Sequence, residues 1–188
     1  MNTALLVIDA QESFRHRPYF NPALLPDYLA AQNALIDACR ARSVPVVRIL
    51  HSDGPPTPDN PFALESGHVR PLDGLSVFDP SAQFIKHRHS ALVGTGLDVW
   101  LTEHGIRRLI VSGIRTEQCC ETTTRHASDM GWTVDFCVDA TLTFDMTQPD
   151  GTPLPAAQIK ARTATVLAGR FCTLCSVAQA ALRAGAPS

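Results

Sequence analysis

The chain has 188 residues, of which 45% are hydrophobic and 18% charged, with a net charge of −2. That is enough apolar surface for one packed domain and too little charge for a disordered chain. The balance gives no electrostatic footprint for nucleic acid, and the longest aliphatic run, Ala4 to Ile8, is far too short to cross a bilayer.

Taken in chain order, short apolar runs alternate with helical patterns. Ala4 to Ile8 lacks a helical period, reads as a strand and stops at Asp9. Leu25 to Arg42 follows with Leu25, Leu29, Leu35, Ile36 and Cys39 at helical spacing. Val44 to Leu50 is a β-branched strand, with Pro45 tolerable near its start. Gln83 to Lys86 is a weaker strand, and Leu97 to Glu103 a helix. Leu109 to Val111 is a strand core leading through Gly113 to a helix expected from Cys119 to Met130, ended by Gly131. A strand over Trp132 to Val138, a helix over Ala156 to Ala168, a strand over Arg170 to Leu174 and a helix over Ser176 to Leu182, capped by Ser176, complete the pattern.

Repeated βα units with fully apolar strands predict a three-layer α/β/α architecture with a mainly parallel, Rossmann-like six-stranded sheet, one domain spanning 1–188. Ligands bind such sheets at the carboxyl ends of the strands. The residues to watch therefore follow strands: Asp9, His51, Lys86, Ile114 to Cys119, and Asp139. Two stretches break the alternation. Residues 51–82 hold six of the fourteen prolines plus Gly54, Gly67 and Gly74, which predicts a specificity loop rather than slack. Asp145 to Pro155 is a shorter excursion at the same end of the sheet.

The six cysteines, Cys39, Cys119, Cys120, Cys137, Cys172 and Cys175, sit mostly in apolar segments, as expected for reduced, buried thiols of a soluble cytoplasmic protein. No basic leader precedes the first apolar run. Cys119 stands apart from the other thiols. A thiol at the start of a helix has its thiolate favoured by the dipole, and free amides there can hold an oxyanion. With Asp9 and Lys86 ending other strands, a carboxylate, an amine and a thiol meet at one end of the sheet, a set suited to nucleophilic acyl transfer.

At these residues the chain resembles the isochorismatase-like cysteine hydrolases, a family that includes nicotinamidases, N-carbamoylsarcosine amidases and isochorismatase itself. The resemblance runs through Asp9-Ala-Gln11-x-x-Phe14 and Lys86-x-x-x-Ser90-Ala91-x-x-x-Thr95-x-Leu97. Its densest stretch is Gly113-Ile114-Arg115-Thr116-x-x-Cys119-Cys120-x-x-Thr123-x-Arg125-x-Ala127-x-x-x-Gly131, followed by Asp139-Ala140. The resemblance implies the isochorismatase-like hydrolase fold and a catalytic triad of Asp9, Lys86 and Cys119. It also implies a cis peptide between Ile114 and Arg115 and an oxyanion hole from the N–H groups of Arg115 and Cys119. Gln11, Phe14 and Leu92, the last standing where the family commonly has phenylalanine, are assigned to the substrate pocket.

Elsewhere the chain departs from the family. Cys120 replaces a usual valine and reads as a small core residue, and Cys172-x-x-Cys175 reads as packing, with a redox pair as the alternative in each case. Nicotinamidases carry an Asp-x-His metal segment where this chain has His51-Ser52-Asp53, in reverse order, with His68 downstream. No metal and no cofactor are expected, and nicotinamide itself is disfavoured as substrate. Arg48, Arg70, Arg88 and Arg115 are placed in or near the mouth as candidates for holding a substrate carboxylate. His87, His89 and His126 read as surface or helix-packing residues.

The expected activity is hydrolysis of a C–N bond in a small amide or ureido compound through a cysteine thioester. The alternatives are isochorismatase-type vinyl-ether hydrolysis, or a non-catalytic thiol redox or metabolite-binding protein on the same scaffold. The expected partners are a small-molecule substrate and further copies of the chain in a dimer or tetramer, with neither nucleic acid nor membrane.

Overall fold

The computed structural model describes residues 2–184. Its strands are β1 (Thr3–Ile8), β2 (Val46–His51), β3 (Ala82–Lys86), β4 (Arg108–Ile114), β5 (Thr133–Leu142), β6 (Met146–Thr147), β7 (Pro153–Leu154) and β8 (Thr173–Cys175). The helices are α1 (Leu25–Arg40), α2 (Leu97–Glu103), α3 (Glu121–Asp129), α4 (Ala156–Leu167) and α5 (Val177–Ala184).

Six strands form one sheet in the order β3-β2-β1-β4-β5-β8, every neighbouring pair parallel. All six β1 residues are buried, because helices cover both faces. Side chains alternate between the faces with the strand period of two. Leu5 and Val7 pack with Leu35, Ile36 and Cys39 of α1 and Ala180 of α5. Ala4, Leu6 and Ile8 pack on the other face with Leu97 and Leu101 of α2, Ala127 of α3 and Leu167 of α4. A third cluster, Phe14, Leu25, Tyr28, Leu72, Ile114, Leu142 and Phe144, closes the carboxyl end of the strands.

Several boundaries move from where the sequence alone puts them. The residues from Arg170 to Cys172 form a turn instead of a strand: Phe171 and Cys172 amides bond back to Leu167, so β8 starts at Thr173. β5 runs on to Leu142, and its pairing with β4 shifts between Val111 and Gly113. Asp139 is therefore an exposed residue within the strand and not a site group at its end. The excursion before α4 closes into the β6–β7 hairpin. At the start of α5, Ser176 and Gln179 cap each other reciprocally through Gln179 N–H to Ser176 Oγ and Ser176 N–H to Gln179 Oε1.

Between β2's last residue, His51, and β3's first, Ala82, the chain is irregular apart from a short 3-10 turn over Leu64–Ser66. This stretch is nonetheless fastened to the segment after β1. The amides of Glu12 and Ser13 donate to the carbonyls of Arg70 and His68, and the Leu72 amide donates to Ala10. This strap therefore lies across the carboxyl end of β1, beside Asp9.

Candidate active site

β1 and β4 are adjacent, and they are also where strand order reverses, so the crevice at their carboxyl ends is the expected ligand position in this architecture. Gly113 makes the close approach of these two strands possible. A Cβ at Gly113 would sit 1.9 Å from the Ile8 carbonyl oxygen, and its φ of +126° is open to glycine alone. Asp9, the next residue of β1's chain, takes φ of 50°, a left-handed conformation that Asp tolerates better than most side chains.

Lys86 ends β3 in direct register with His51, the last residue of β2. Its ammonium lies 2.8 Å from Asp9 Oδ2, 3.2 Å from Cys119 Sγ and 3.2 Å from His51 Nδ1. An ammonium has three N–H donors, and each here has a partner, with His51 accepting through a ring nitrogen that carries no proton. Asp9 and Lys86 are wholly buried and Cys119 nearly so. The structure thus brings together the carboxylate, the amine and the thiol from positions 9, 86 and 119.

Burial raises the Asp9 carboxyl above its ordinary value, with Lys86 pulling the other way. For Lys86, burial works against the charge, but Asp9 and Cys119 outweigh it and hold the ammonium above its ordinary range. Burial and the adjacent carboxylate push the Cys119 thiol well up, more than Lys86 can offset. This corrects the expectation of a dipole-favoured thiolate. The regular helix α3 begins only at Glu121, and Cys119 lies in a π-helical turn over Thr116–Cys120 that precedes it. The raised value favours the protonated thiol of Cys119 beside the Asp9 carboxyl. His51 is pushed down to about 4 by burial and by Lys86, so it is neutral at physiological pH.

The peptide between Ile114 and Arg115 is cis and leads directly into that turn. Amides of Gln118 and Cys120 donate to the Arg115 carbonyl, both at 3.2 Å, fixing the turn against the end of β4. Beneath it, buried Glu121 accepts from Arg125, from Arg162 and from Thr163, tying the turn to α4.

Asp9 and Cys119 open onto a cavity of about 260 Å³ whose aromatic wall is Phe14, Tyr19 and Phe62. The size suits a small metabolite better than a drug-sized ligand. Gln11 and Leu92, placed in the pocket by sequence, lie elsewhere. The Gln11 amide clamps the backbone N–H and carbonyl of His51 at 2.7 and 2.9 Å, and Leu92 packs in the core against the α2–α4 face. Of the four arginines put near the mouth, Arg115 lines the cavity. Arg48 lies over Phe78 with 4.6 Å to the ring centre, Arg70 pairs with Asp73, and Arg88 is exposed and bonds to the His87 carbonyl. His126 accepts or donates at Ser90 Oγ, a packing contact, whereas His89 is exposed, as expected, and also lines the cavity.

Sequence reasoning missed Arg17, Tyr19, Asn60 and Phe62 in the wall, while Gln118 lies there within the watched stretch from Ile114 to Cys119. Arg17 and Tyr19 carried a signal, since they follow Phe14 on the short segment that begins at Asp9. The others depend on how the 51–82 strap folds back. It contributes His51, Asp53, Asn60 and Phe62 to the wall.

The residues do not fit a metal at the nicotinamidase position. His51 Nδ1 is taken up by the Lys86 ammonium, and His68 stacks on His16 with ring centres 3.7 Å apart. Among the described residues no group of three His, Cys, Asp or Glu side chains is arranged to hold an ion. The cysteine pairs also separate. Cys172 packs on one face of the sheet and Cys175 on the other, where it is the register partner of Cys137. Cys120 is fully buried in the core while Cys119 reaches the cavity.

Comparison with known proteins bears on the family and the fold. The family model for the Isochorismatase domain matches residues 3–179. Nicotinamidase 3 of Arabidopsis thaliana is 34% identical over 155 residues, covering 76% of this chain and 74% of that protein. Among solved structures, an isochorismatase-family protein from Chromobacterium violaceum superposes with a TM-score of 0.86 at 27% identity, covering 98% of this chain and 94% of the other. N-carbamoylsarcosine amidase from Thermoplasma acidophilum shares the fold, with a TM-score of 0.72 at 21% identity over 94% of this chain and 97% of its own.

Proposed function

The chain belongs to the isochorismatase family of hydrolases, and from that premise we propose that it cleaves the C–N bond of a small amide or ureido compound through a thioester on Cys119. The observation that carries the reading is the Lys86 ammonium, placed between the Asp9 carboxylate and the Cys119 sulfur at the inner end of the cavity.

In this reading the thiol is protonated until substrate arrives. As sulfur attacks the carbonyl carbon, its proton passes to Asp9, and Lys86 offsets the charge that moves from carboxylate to sulfur and then to oxygen. The oxyanion is received by the N–H groups of Arg115 and Cys119 beside the cis peptide. Asp9 returns the proton to the departing nitrogen, the C–N bond breaks, and ammonia or an amine leaves. Water then attacks the thioester with Asp9 again as base, releasing the acid and restoring the thiol.

Amide chemistry in the relatives supports this choice, since one is a nicotinamidase and another of the same fold an N-carbamoylsarcosine amidase. Vinyl-ether hydrolysis needs no sulfur at this position, and a redox role for Cys172 and Cys175 is disfavoured by their lying on opposite faces of the sheet.

The deciding experiment measures ammonia release from a panel of small primary amides and ureides by the wild-type protein and Cys119→Ala. The expected loss is on the order of 10⁴-fold or more, with an acyl adduct on Cys119 trapped from the wild type. Turnover by Cys119→Ala within about tenfold of wild type would overturn the thioester.

A further inference from the structure

The sequence offers Cys172 and Cys175 as a thiol pair, but the sheet gives Cys175 a different partner. Cys137 in β5 and Cys175 in β8 are register partners on adjacent parallel strands. Side chains at paired positions leave the sheet on the same face, and both cysteines belong to the cluster with Val7, Ile36 and Ala180. Neighbouring strands lie about 4.8 Å apart, inside the ~4.4–6.8 Å separation of Cα atoms that a disulfide spans. Cys172 packs on the opposite face and is left out of this pairing.

The two thiols are not equivalent. The Cys175 thiol donates a hydrogen bond to the Cys137 sulfur, which together with the Ala140 amide outweighs burial and holds the Cys137 thiol below its ordinary value. The donor, Cys175, is raised in return. Oxidants react with the thiolate, so Cys137 is the nucleophile of the pair and Cys175 the thiol placed to resolve it. Cys39 shares this face, but burial and Cys137 push its thiol up to about 12. None of the three lines the cavity that Cys119 enters.

Access to the pair comes from the edge of the sheet. β8 is three residues long and is bonded to β5 along one flank. Cys137 is fully buried and Cys175 is 6% exposed. Ala180 of α5 packs in their cluster, and Arg183 of α5 reaches the buried Asp135 carboxylate at 2.8 Å. The Arg183 side chain is 34% exposed, so solvent weakens this tether and α5 can lift without parting the sheet.

We propose that Cys137 and Cys175 form a site of oxidative cross-linking, closing a disulfide that fastens β8 to β5 when a peroxide reaches them past α5. The Cys137 sulfur attacks one peroxide oxygen, the O–O bond breaks, and the thiol proton leaves in the first water, giving a sulfenic acid. The Cys175 sulfur then forms the S–S bond, and the expelled hydroxide departs with the Cys175 proton as a second water. One peroxide is reduced and two thiols are oxidised.

Titration of the whole chain with hydrogen peroxide tests this, with remaining thiols blocked and peptides read by mass spectrometry without reduction. The expected product is a Cys137–Cys175 cross-link that dithiothreitol reverses. The oxidised protein should unfold at a urea midpoint higher by on the order of 1 M, because the bond closes the loop from 137 to 175. Cys175→Ser should show no such shift. Arg183→Gln should form the cross-link about tenfold faster, and an unchanged rate would remove α5 as the cover. These readouts need no turnover, so they stand apart from the reading of Cys119. Oxidation of Cys119 with Cys137 and Cys175 both left free, or a cross-link from Cys39 or Cys172 in place of this one, would overturn the proposal.

Discussion

The Asp9 carboxylate and the Lys86 ammonium form a wholly buried ion pair, 2.8 Å apart, between residues that lie at the ends of non-adjacent strands. Such a pair is weak evidence for stability but costly to break, since removing one partner strands the other charge in a low-dielectric interior. Lys86→Met is expected to destabilise the fold by about 3–5 kcal/mol, and Asp9→Asn by a comparable amount. The double variant should recover most of that loss while remaining inactive. Chemical denaturation alongside ammonia release checks this; additive destabilisation in the double variant would mean that the two groups do not act as a pair.

The pH profile follows from Asp9. In the proposed mechanism the carboxyl must be ionised to take the thiol proton, and burial raises its value above the ordinary one. The acidic limb of kcat/KM is therefore expected above the ordinary carboxyl range of about 4, and the rate of Cys119 alkylation should rise along the same limb. An alkylation rate that tracks an ordinary thiol near pH 8.5 instead would assign the proton transfer elsewhere.

His51 gives a stability prediction of definite sign. Its folded value of about 4 lies below the unfolded value of 6.5, so between those limits the unfolded chain binds more protons. Its contribution to stability is complete above pH 6.5 and is lost as pH falls toward 4. His51→Gln should remove this slope and leave the Gln11 clamp intact, because Gln11 bonds the His51 backbone. Urea midpoints of the two proteins measured from pH 7 to pH 4 should converge toward the acid end.

Gly113→Ala should fail to give folded protein, since the added carbon meets the Ile8 carbonyl oxygen at 1.9 Å and must part β1 from β4. Gly131→Ala provides the contrast. It has φ of +92° but nothing within 4 Å of the new carbon, so its cost is the conformational one of about 1–2 kcal/mol. Soluble yield and thermal midpoints separate the two cases.

The layered fold and the meeting of Asp9, Lys86 and Cys119 at one end of the sheet were legible because each has a local signature. Strands buried on both faces read as uninterrupted apolar runs, and a lone Asp, Lys or Cys at the end of such a run is conspicuous. Gly113 and the turn after it are adjacent in sequence to Cys119, so their spacing is informative too. The cavity wall was much less legible. Phe62, Asn60 and Asp53 reach it through a proline-rich strap whose path is set by backbone hydrogen bonds to residues 10–13, and neither periodicity nor spacing records that path. Leu92 misled for the same reason, since position within a motif does not reveal which way a side chain turns. The state of the thiol was misjudged because a helix start was expected at Cys119, while burial and a neighbouring carboxylate govern its proton.

β3 lies at the rim of the sheet and is hydrogen-bonded to β2 along one flank. The ammonium on which the proposed chemistry depends is thus mounted on a boundary strand, while the sulfur and the carboxylate flank the sheet's central seam. Mild heating or low denaturant would peel that rim before the seam parts. Catalysis should then fade while circular dichroism is still largely native, making activity a sensitive gauge of edge fraying in this molecule.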